Sequence, residues 1–299
     1  MKFQVQKKIL ITGGSGLLAI NWAQKIKCNY QVTLALHHRI VSINGVKTID
    51  IKKITKYPPS SFDIVINTIG LTSVEVCEED PNLAYETNVK TVINIANFCK
   101  GSNIKLVHIS TDHLFDGMQS YYSEVDKPIP LNIYAKTKLE AEQKVMSIYP
   151  DTLVVRTNFF GNGTDYRKSF SDNVLEKLQK NQVINLFDDV FFTPILIDEL
   201  VSKVHQLIFI KASGVFNIVG TERLSKYEFG LQLAEIFGLN DTLINPISIS
   251  ENQDLVDRPK DMSLSNTKLR KTLKCNLPSL KEQFKALKEQ SYNKVTLQV

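Results

Sequence analysis

Cysteine, tryptophan and charge of one sign are all scarce in this chain, and each scarcity narrows what it can be. Four cysteines, Cys28, Cys77, Cys99 and Cys275, and one tryptophan stand among 299 residues. No two cysteines form a C-x-x-C pair, so neither a zinc site nor a disulfide framework is indicated, and no metal is expected. Such isolated cysteines read as reduced, buried fillers, which fits a cytoplasmic location. Lysine and arginine number 36 against 31 aspartate and glutamate, a formal charge of +5. The basic residues are dispersed and form no block that could track a phosphate backbone, which argues against nucleic acid as a partner. No apolar run reaches the roughly 18 residues of a membrane span. The short apolar stretch near the N-terminus ends in a glycine turn and reads as a buried strand, not a signal peptide.

What the chain does have is a hydrophobic content of 43%, enough for one large domain or two closely packed ones. Short apolar runs alternate with helical patterns through the first half. Strands are expected at Lys8–Thr12, Gln31–Leu36, Val46–Ile51, Ile64–Asn67, Lys105–Ile109 and Leu153–Arg156. Helices are expected at Leu17–Lys27, Asn82–Cys99 and Ile133–Ile148. Nearly continuous apolar strands between helices imply a parallel sheet covered on both faces, a doubly wound α/β fold.

The second half is less regular. Phe159–Arg167 reads as loop and Phe170–Lys180 as helix. Phe192–Ile210 reads as a strand end feeding a helix, and Val215–Val219 as a strand. Helices are expected at Ser225–Phe237 and Ser279–Gln290, with a Pro/Asn/Asp-rich loop between. The expected organisation is a dinucleotide-binding domain over 1–157, joined again by 193–219. A smaller, interleaved α/β substrate-binding lobe would comprise 158–192 and 220–299.

The sharpest local signal is Thr12-Gly13-Gly14-Ser15-Gly16-Leu17, which follows a strand and opens a helix. Small residues permit a tight turn and a close backbone approach to a pyrophosphate, and the helix N-terminus offers unpaired N–H groups to the anion. By itself this is also an ordinary strand–turn–helix. Its place in the first unit of an α/β chain makes it a candidate dinucleotide site. The second strand ends in Leu36-His37-His38-Arg39, with no acidic residue for a ribose 2′-hydroxyl. Arg39 and His38 can instead pair with a 2′-phosphate, so NADPH is expected over NADH, with NAD retained as an option. Asp50 and Ile51 close the third strand, and Thr68-Ile69-Gly70 follow the fourth, at the same sheet edge. These are candidate adenine and cofactor contacts.

Ser110-Thr111-Asp112 follows the fifth strand, and Tyr134 and Lys138 lie four apart on the next long helix, hence on one face. An ammonium near a phenol favours the phenolate and lowers the phenol's ordinary pKa. Lys138 can also bond the nicotinamide ribose, while Thr111, or Ser110 beside it, can bond a reacting carbonyl. Together these groups suit ketone reduction. Lys136, two residues from Tyr134, faces elsewhere.

With these motifs assembled, the chain resembles the extended short-chain dehydrogenase/reductases, and within them the dTDP-4-dehydrorhamnose reductases. The resemblance runs over nearly the whole length. It rests on Thr12–Leu18, on Ser110-Thr111-Asp112-His113-Leu114-Phe115-Asp116-Gly117, on Tyr134–Glu142, on Arg156-Thr157, and on Arg258-Pro259 with Ser263-Leu264-Ser265. It implies a Rossmann sheet and a reductase of a 4-keto-sugar nucleotide, with Thr111, Tyr134 and Lys138 catalytic. Gly13, Ser15, Gly16, Leu17, Asp50, Ile51, Thr68, Ile69 and Gly70 would then hold the cofactor. Thr111, Asp112, Phe159 and Arg258 would meet the substrate. A homodimer is compatible with this reading. Two positions depart from the pattern: His113 stands where tyrosine is usual, and Phe159 where tryptophan is frequent. Alternatives from other classes are a non-catalytic partner like the regulatory subunit of methionine adenosyltransferase, and an epimerase or dehydratase of the extended family.

Overall fold

The computed structural model describes residues 6–252 and 254–290. Strand β1 (Lys8–Thr12) leads through the glycine turn into α1 (Leu17–Ile26), followed by β2 (Gln31–Leu36), β3 (Lys47–Asp50) and β4 (Ile64–Asn67). Next come α2 (Val74–Glu79), α3 (Pro81–Tyr85), a π-helical turn at Glu86–Lys90 and α4 (Thr91–Gly101). Strand β5 (Lys105–Ile109), helix α5 (Ile133–Ile148) and strand β6 (Leu153–Arg156) complete the first half. Beyond it lie β7 (Phe159–Phe160), α6 (Phe170–Gln179), β8 (Ile184–Phe187), β9 (Phe191–Phe192), β10 (Ile195–Leu196) and α7 (Ile197–Phe209). Strands β11 (Gly214–Asn217) and β12 (Leu224–Ser225), helix α8 (Lys226–Phe237), strand β13 (Ile244–Ile247) and helices α9 (Thr267–Leu273) and α10 (Leu280–Glu289) follow.

Seven strands form one parallel sheet in the order β11-β6-β5-β4-β1-β2-β3. The order reverses between β1 and β4, so their carboxyl ends diverge and open a crevice there. One face of the sheet packs Ile9, Ile11 and Leu34 against α1 and α7. The other packs Leu10, Val65, Leu106 and Val154 against α4 and α5. Burial on both faces explains why these strands lack polar alternation. A separate apolar cluster, built on Phe160, Phe192, Phe229 and Phe284, forms the core of the smaller lobe.

Several expectations from the sequence shift. The helix expected at Asn82–Cys99 is interrupted by the π-helical turn. The 159–167 stretch is not all loop, because Phe159–Phe160 pairs with Ile195–Leu196. The polar stretch after α8 contains β13, which pairs in parallel with β8. These short ladders join segments far apart in sequence, so no local periodicity announces them.

The glycine turn itself is tightly determined. Gly14 N donates to Ala35 O at 2.9 Å and Gly16 N to Gly13 O at 2.7 Å. Gly13 has φ of +72°, and a Cβ there would lie 2.9 Å from Thr68 Oγ1. Left-handed backbone costs a side-chain-bearing residue about 1–2 kcal/mol. Gly13→Ala is therefore expected to lower the melting temperature and weaken dinucleotide affinity together, as read by thermal melts and cofactor titration. Unchanged affinity would show that this turn does not cradle the ligand.

Candidate active site

The carboxyl ends of β1, β4, β5 and β6 surround a cleft of about 650 Å³. Its walls include Gly13, Ser15, Gly16, Leu17, Ile51, Thr68, Ile69, Gly70, Thr111, Asp112, Tyr134, Lys138 and Phe159, all singled out above from sequence. At one end the α1 N-terminus carries no side-chain cap and no acidic residue in its first turn. Its N–H groups are thus left for an anion. A Cβ at Gly14 would fall 2.8 Å from Leu34 Cβ, so the backbone, not side chains, shapes this cradle. Among the described residues, buried Ser110 Oγ and Thr157 Oγ1 have no hydrogen-bond partner, and both residues line the cleft. Cradle and orphaned hydroxyls fit a dinucleotide.

Other expected cofactor residues are placed differently. His38 and Arg39 are exposed, and His37 lines the wall instead. Arg39 stacks on Tyr166, its guanidinium carbon 4.1 Å from the ring centroid, and Tyr166 donates its hydroxyl to Ser15 O at 2.7 Å. Arg39 is thereby held beside the glycine turn. Asp50 accepts from Lys52 N at 2.9 Å, capping the short helix that Ile51 begins.

Helix α5 positions the reacting end. Asn132 caps it, accepting from Ala135 N at 2.9 Å and donating to Asp257 O at 2.8 Å. Tyr134 therefore falls in the first turn and Lys138 one turn on, both facing the cleft. Lys138 donates to Ile109 O at 2.7 Å. Burial lowers its pKa to about 8, against the opposing pull of Glu142. Tyr134 corrects the simple expectation from its spacing. Its pKa is raised, not lowered, because burial outweighs the hydrogen bond from Thr111, and Asp112 pushes the same way. Val74, Cys77 and Ala84 pack around it. Here Lys138 turns its ammonium to a backbone carbonyl, so Tyr134 stands as a neutral phenol, the protonated form a proton donor needs.

Thr111 bonds Asp112 Oδ1 at 3.3 Å and accepts from His113 N at 3.3 Å. Asp112 accepts from Asn158 at 2.5 Å. The His113 ring meets Tyr134 edge-on with centroids 5.6 Å apart. Arg258 does not line the cleft; it pairs with Glu75 and donates to Val256 O at 3.2 Å.

The loop that carries Thr111 and Asp112 is anchored from behind. Phe115 stacks on Tyr122, Tyr122 donates to Asp116 at 2.6 Å, and Tyr122 N donates to Ser263 O at 2.9 Å. Gly117, with φ of +78°, turns against Pro259 and Lys260 too closely for any Cβ. The Phe-Asp-Gly and Arg-Pro motifs thus act as one clasp.

Three sets of buried contacts escaped sequence reasoning, although Thr12, Glu142 and Arg156 lie in motifs quoted above. Thr12, Asn67 and His108 form a buried chain under the cleft, with bonds of 2.7 and 3.1 Å. Asn88, on the π-helical turn, holds Leu71 N at 2.7 Å and Thr137 at 3.0 Å. Glu142 and Arg156 form a buried bidentate pair with Nη2 to Oε2 at 2.8 Å. A polar residue inside an apolar strand, such as His108 or Arg156, was the available signal for two of them; Asn88 left none.

Fold and site together are those of an extended short-chain dehydrogenase/reductase. Within that class the chain belongs to the RmlD substrate binding domain family, whose description matches residues 7–293. It is 28% identical over 277 residues to a dTDP-4-dehydrorhamnose reductase of Aggregatibacter actinomycetemcomitans, covering 88% of this chain and 92% of that one. It is 26% identical over 291 residues to methionine adenosyltransferase 2 subunit beta of Rattus norvegicus, covering 88% and 81%. A dTDP-4-dehydrorhamnose reductase of Bacillus anthracis, solved in complex with NADP, shares the fold with a TM-score of 0.81 at 24% identity, covering 95% of this chain and 99% of that one.

Proposed function

We propose that this protein is an NADPH-dependent reductase of a 4-keto-sugar nucleotide, of the dTDP-4-dehydrorhamnose reductase type. The observation that carries the reading is the convergence of Thr111, Tyr134 and Lys138 on one cleft whose other end is the glycine cradle. NADPH, when bound, supplies the hydride for the keto carbon. Gly13, Ser15, Gly16 and Leu17 would hold its pyrophosphate, with His38 and Arg39 serving a 2′-phosphate. Asp50, Ile51, Thr68, Ile69 and Gly70 would flank the rest. Thr111 orients the keto oxygen by hydrogen bonding, and the Tyr134 phenol gives that oxygen its proton. Lys138 stabilises the phenolate left behind and bonds the ribose. Asp112 and Phe159 face the sugar, while Arg258, paired with Glu75 outside the cleft lining, is not given a substrate contact. We assign cofactor binding to 1–157 with 193–219 and substrate binding to 158–192 with 220–299. Assembly as a homodimer in the cytoplasm completes the proposal, and light scattering tests the dimer. Among the described residues no helix is long and apolar enough to cross a membrane.

An NADPH-oxidation screen over 4-keto-sugar nucleotides of varied base and sugar tests the activity, and calorimetry with NADPH and NADH tests the cofactor preference. Turnover on at least one substrate, with tighter NADPH, is the expected result. No turnover, with a stable hetero-complex by native mass measurement, would favour the partner-subunit reading instead. Tightly co-purifying NAD would favour an epimerase or dehydratase.

The two ionisations give a pH profile. Tyr134 is pushed up and stays protonated through neutral pH, so it imposes no limit there. Lys138 sits near about 8 and loses its charge above that. In the reductive direction kcat/KM should be flat below that value and fall above it. A profile rising through pH 8 would overturn this assignment of the charge states.

A further inference from the structure

One cation outside the cleft lining, but within electrostatic reach of Asp112 and His113 on its wall, has no role in the scheme above. Helix α8 begins at Lys226, directly after the Ser225 cap, where Ser225 Oγ accepts from Glu228 N at 3.0 Å and the Glu228 carboxylate accepts from Ser225 N at 2.7 Å. The Lys226 backbone N–H donates to Val190 O at 3.1 Å. Its side chain lies on the lobe's aromatic core, with Nζ 3.2 Å from the Phe192 ring centroid and 4.9 Å from that of Phe170. Asp112 and His113, both cleft-lining, are within its electrostatic reach.

Neighbouring cations are already occupied: Arg258 by Glu75, and Arg223 by Asp261 at 2.8 Å. The Asp112 carboxylate is bonded to Asn158 and Thr111. Among the described residues, by contrast, no hydrogen bond or ion pair engages the Lys226 ammonium. Burial lowers its pKa to about 8, with Asp112 opposing. A half-buried ammonium on an aromatic face, on the positive first turn of a twelve-residue helix, gains most from an oxyanion that replaces its lost water.

We infer that Lys226 binds an oxyanion of the sugar nucleotide at the substrate end of the cleft. The inference rests on the reductase reading above. Two sources share this chemistry: the diphosphate linker and a carboxylate on the sugar.

Calorimetry in the presence of NADP tests it, with wild type, Lys226→Met and Lys226→Arg. The probes are thymidine and uridine, their diphosphates, UDP-glucose and UDP-glucuronate. Loss of one charged hydrogen bond predicts about 10- to 100-fold weaker binding for the methionine variant, with most of it restored by arginine. Loss on every diphosphate-bearing probe, with the nucleosides unaffected, assigns Lys226 to the linker. Loss confined to UDP-glucuronate assigns it to a sugar carboxylate. Melting temperature and NADP affinity should hold, which a purely structural lysine on Phe192 would not predict. Equal binding of all probes by wild type and Lys226→Met overturns the inference alone. Wild type that binds no sugar nucleotide overturns the reductase reading as well.

Discussion

Tyr134→Phe should reduce kcat by about 10²- to 10⁴-fold while leaving NADPH affinity nearly intact. The change removes one oxygen. The ring remains to pack on Val74, Cys77 and Ala84 and to meet His113 edge-on. Tyr134 is 7% exposed, and its raised pKa reflects that burial first. Loss of the hydroxyl opens little space, so the melting temperature should move little. The measurements are steady-state rates and an NADPH titration on the same preparation. Substantial residual turnover would remove Tyr134 as the proton donor. A collapse of NADPH binding would instead make it chiefly a cofactor residue.

Arg156→Met should be the most destabilising single change near the site. Arg156 and Glu142 have side-chain exposures of 5% and 4% and share a bidentate contact. Removing the arginine leaves a buried carboxylate without its partner, at a cost of about 3–5 kcal/mol. That corresponds to a fall in melting temperature on the order of 10 °C. Arg156 also lies over the Phe115 ring, 5.6 Å from its centroid, so the clasp behind Thr111 should loosen as well. The double change Arg156→Met with Glu142→Leu should recover much of the loss, because a packed apolar pair needs no desolvation. A second consequence concerns Lys138, whose charged form Glu142 already favours. With Arg156 gone, that pull is less compensated, and the break in the pH profile should move upward. A single variant as stable as wild type would show that water reaches this pair.

Much of this site was legible because its chemistry is written at fixed spacings. Gly13, Gly16 and the helix they open lie within one turn of chain. Tyr134 and Lys138 share a helix face by arithmetic alone. The strands β1, β2, β4, β5 and β6 were readable as short apolar runs, since a sheet buried on both faces is mostly apolar along its strands, with His108 and Arg156 among the exceptions. The small ladders Phe159–Phe160 with Ile195–Leu196 and Ile184–Phe187 with Ile244–Ile247 were not, since each strand is too short for a period and its partner is remote.

Ionisation was also out of reach. Spacing places an ammonium near a phenol and so suggests a lowered Tyr134 pKa, but burial decides the sign, and burial is a property of the packed site. The same holds for Arg258, which packing turns to Glu75. The sequence by itself determined the parallel sheet, the glycine turn and the shared helix face of Tyr134 and Lys138, because local sterics and helical periodicity are carried by neighbours in the chain. Only the tertiary structure decided which charges are paired, which are buried and which, like the Lys226 ammonium, have no hydrogen bond or ion pair among the described residues, because desolvation and ion pairing depend on residues that meet from distant segments.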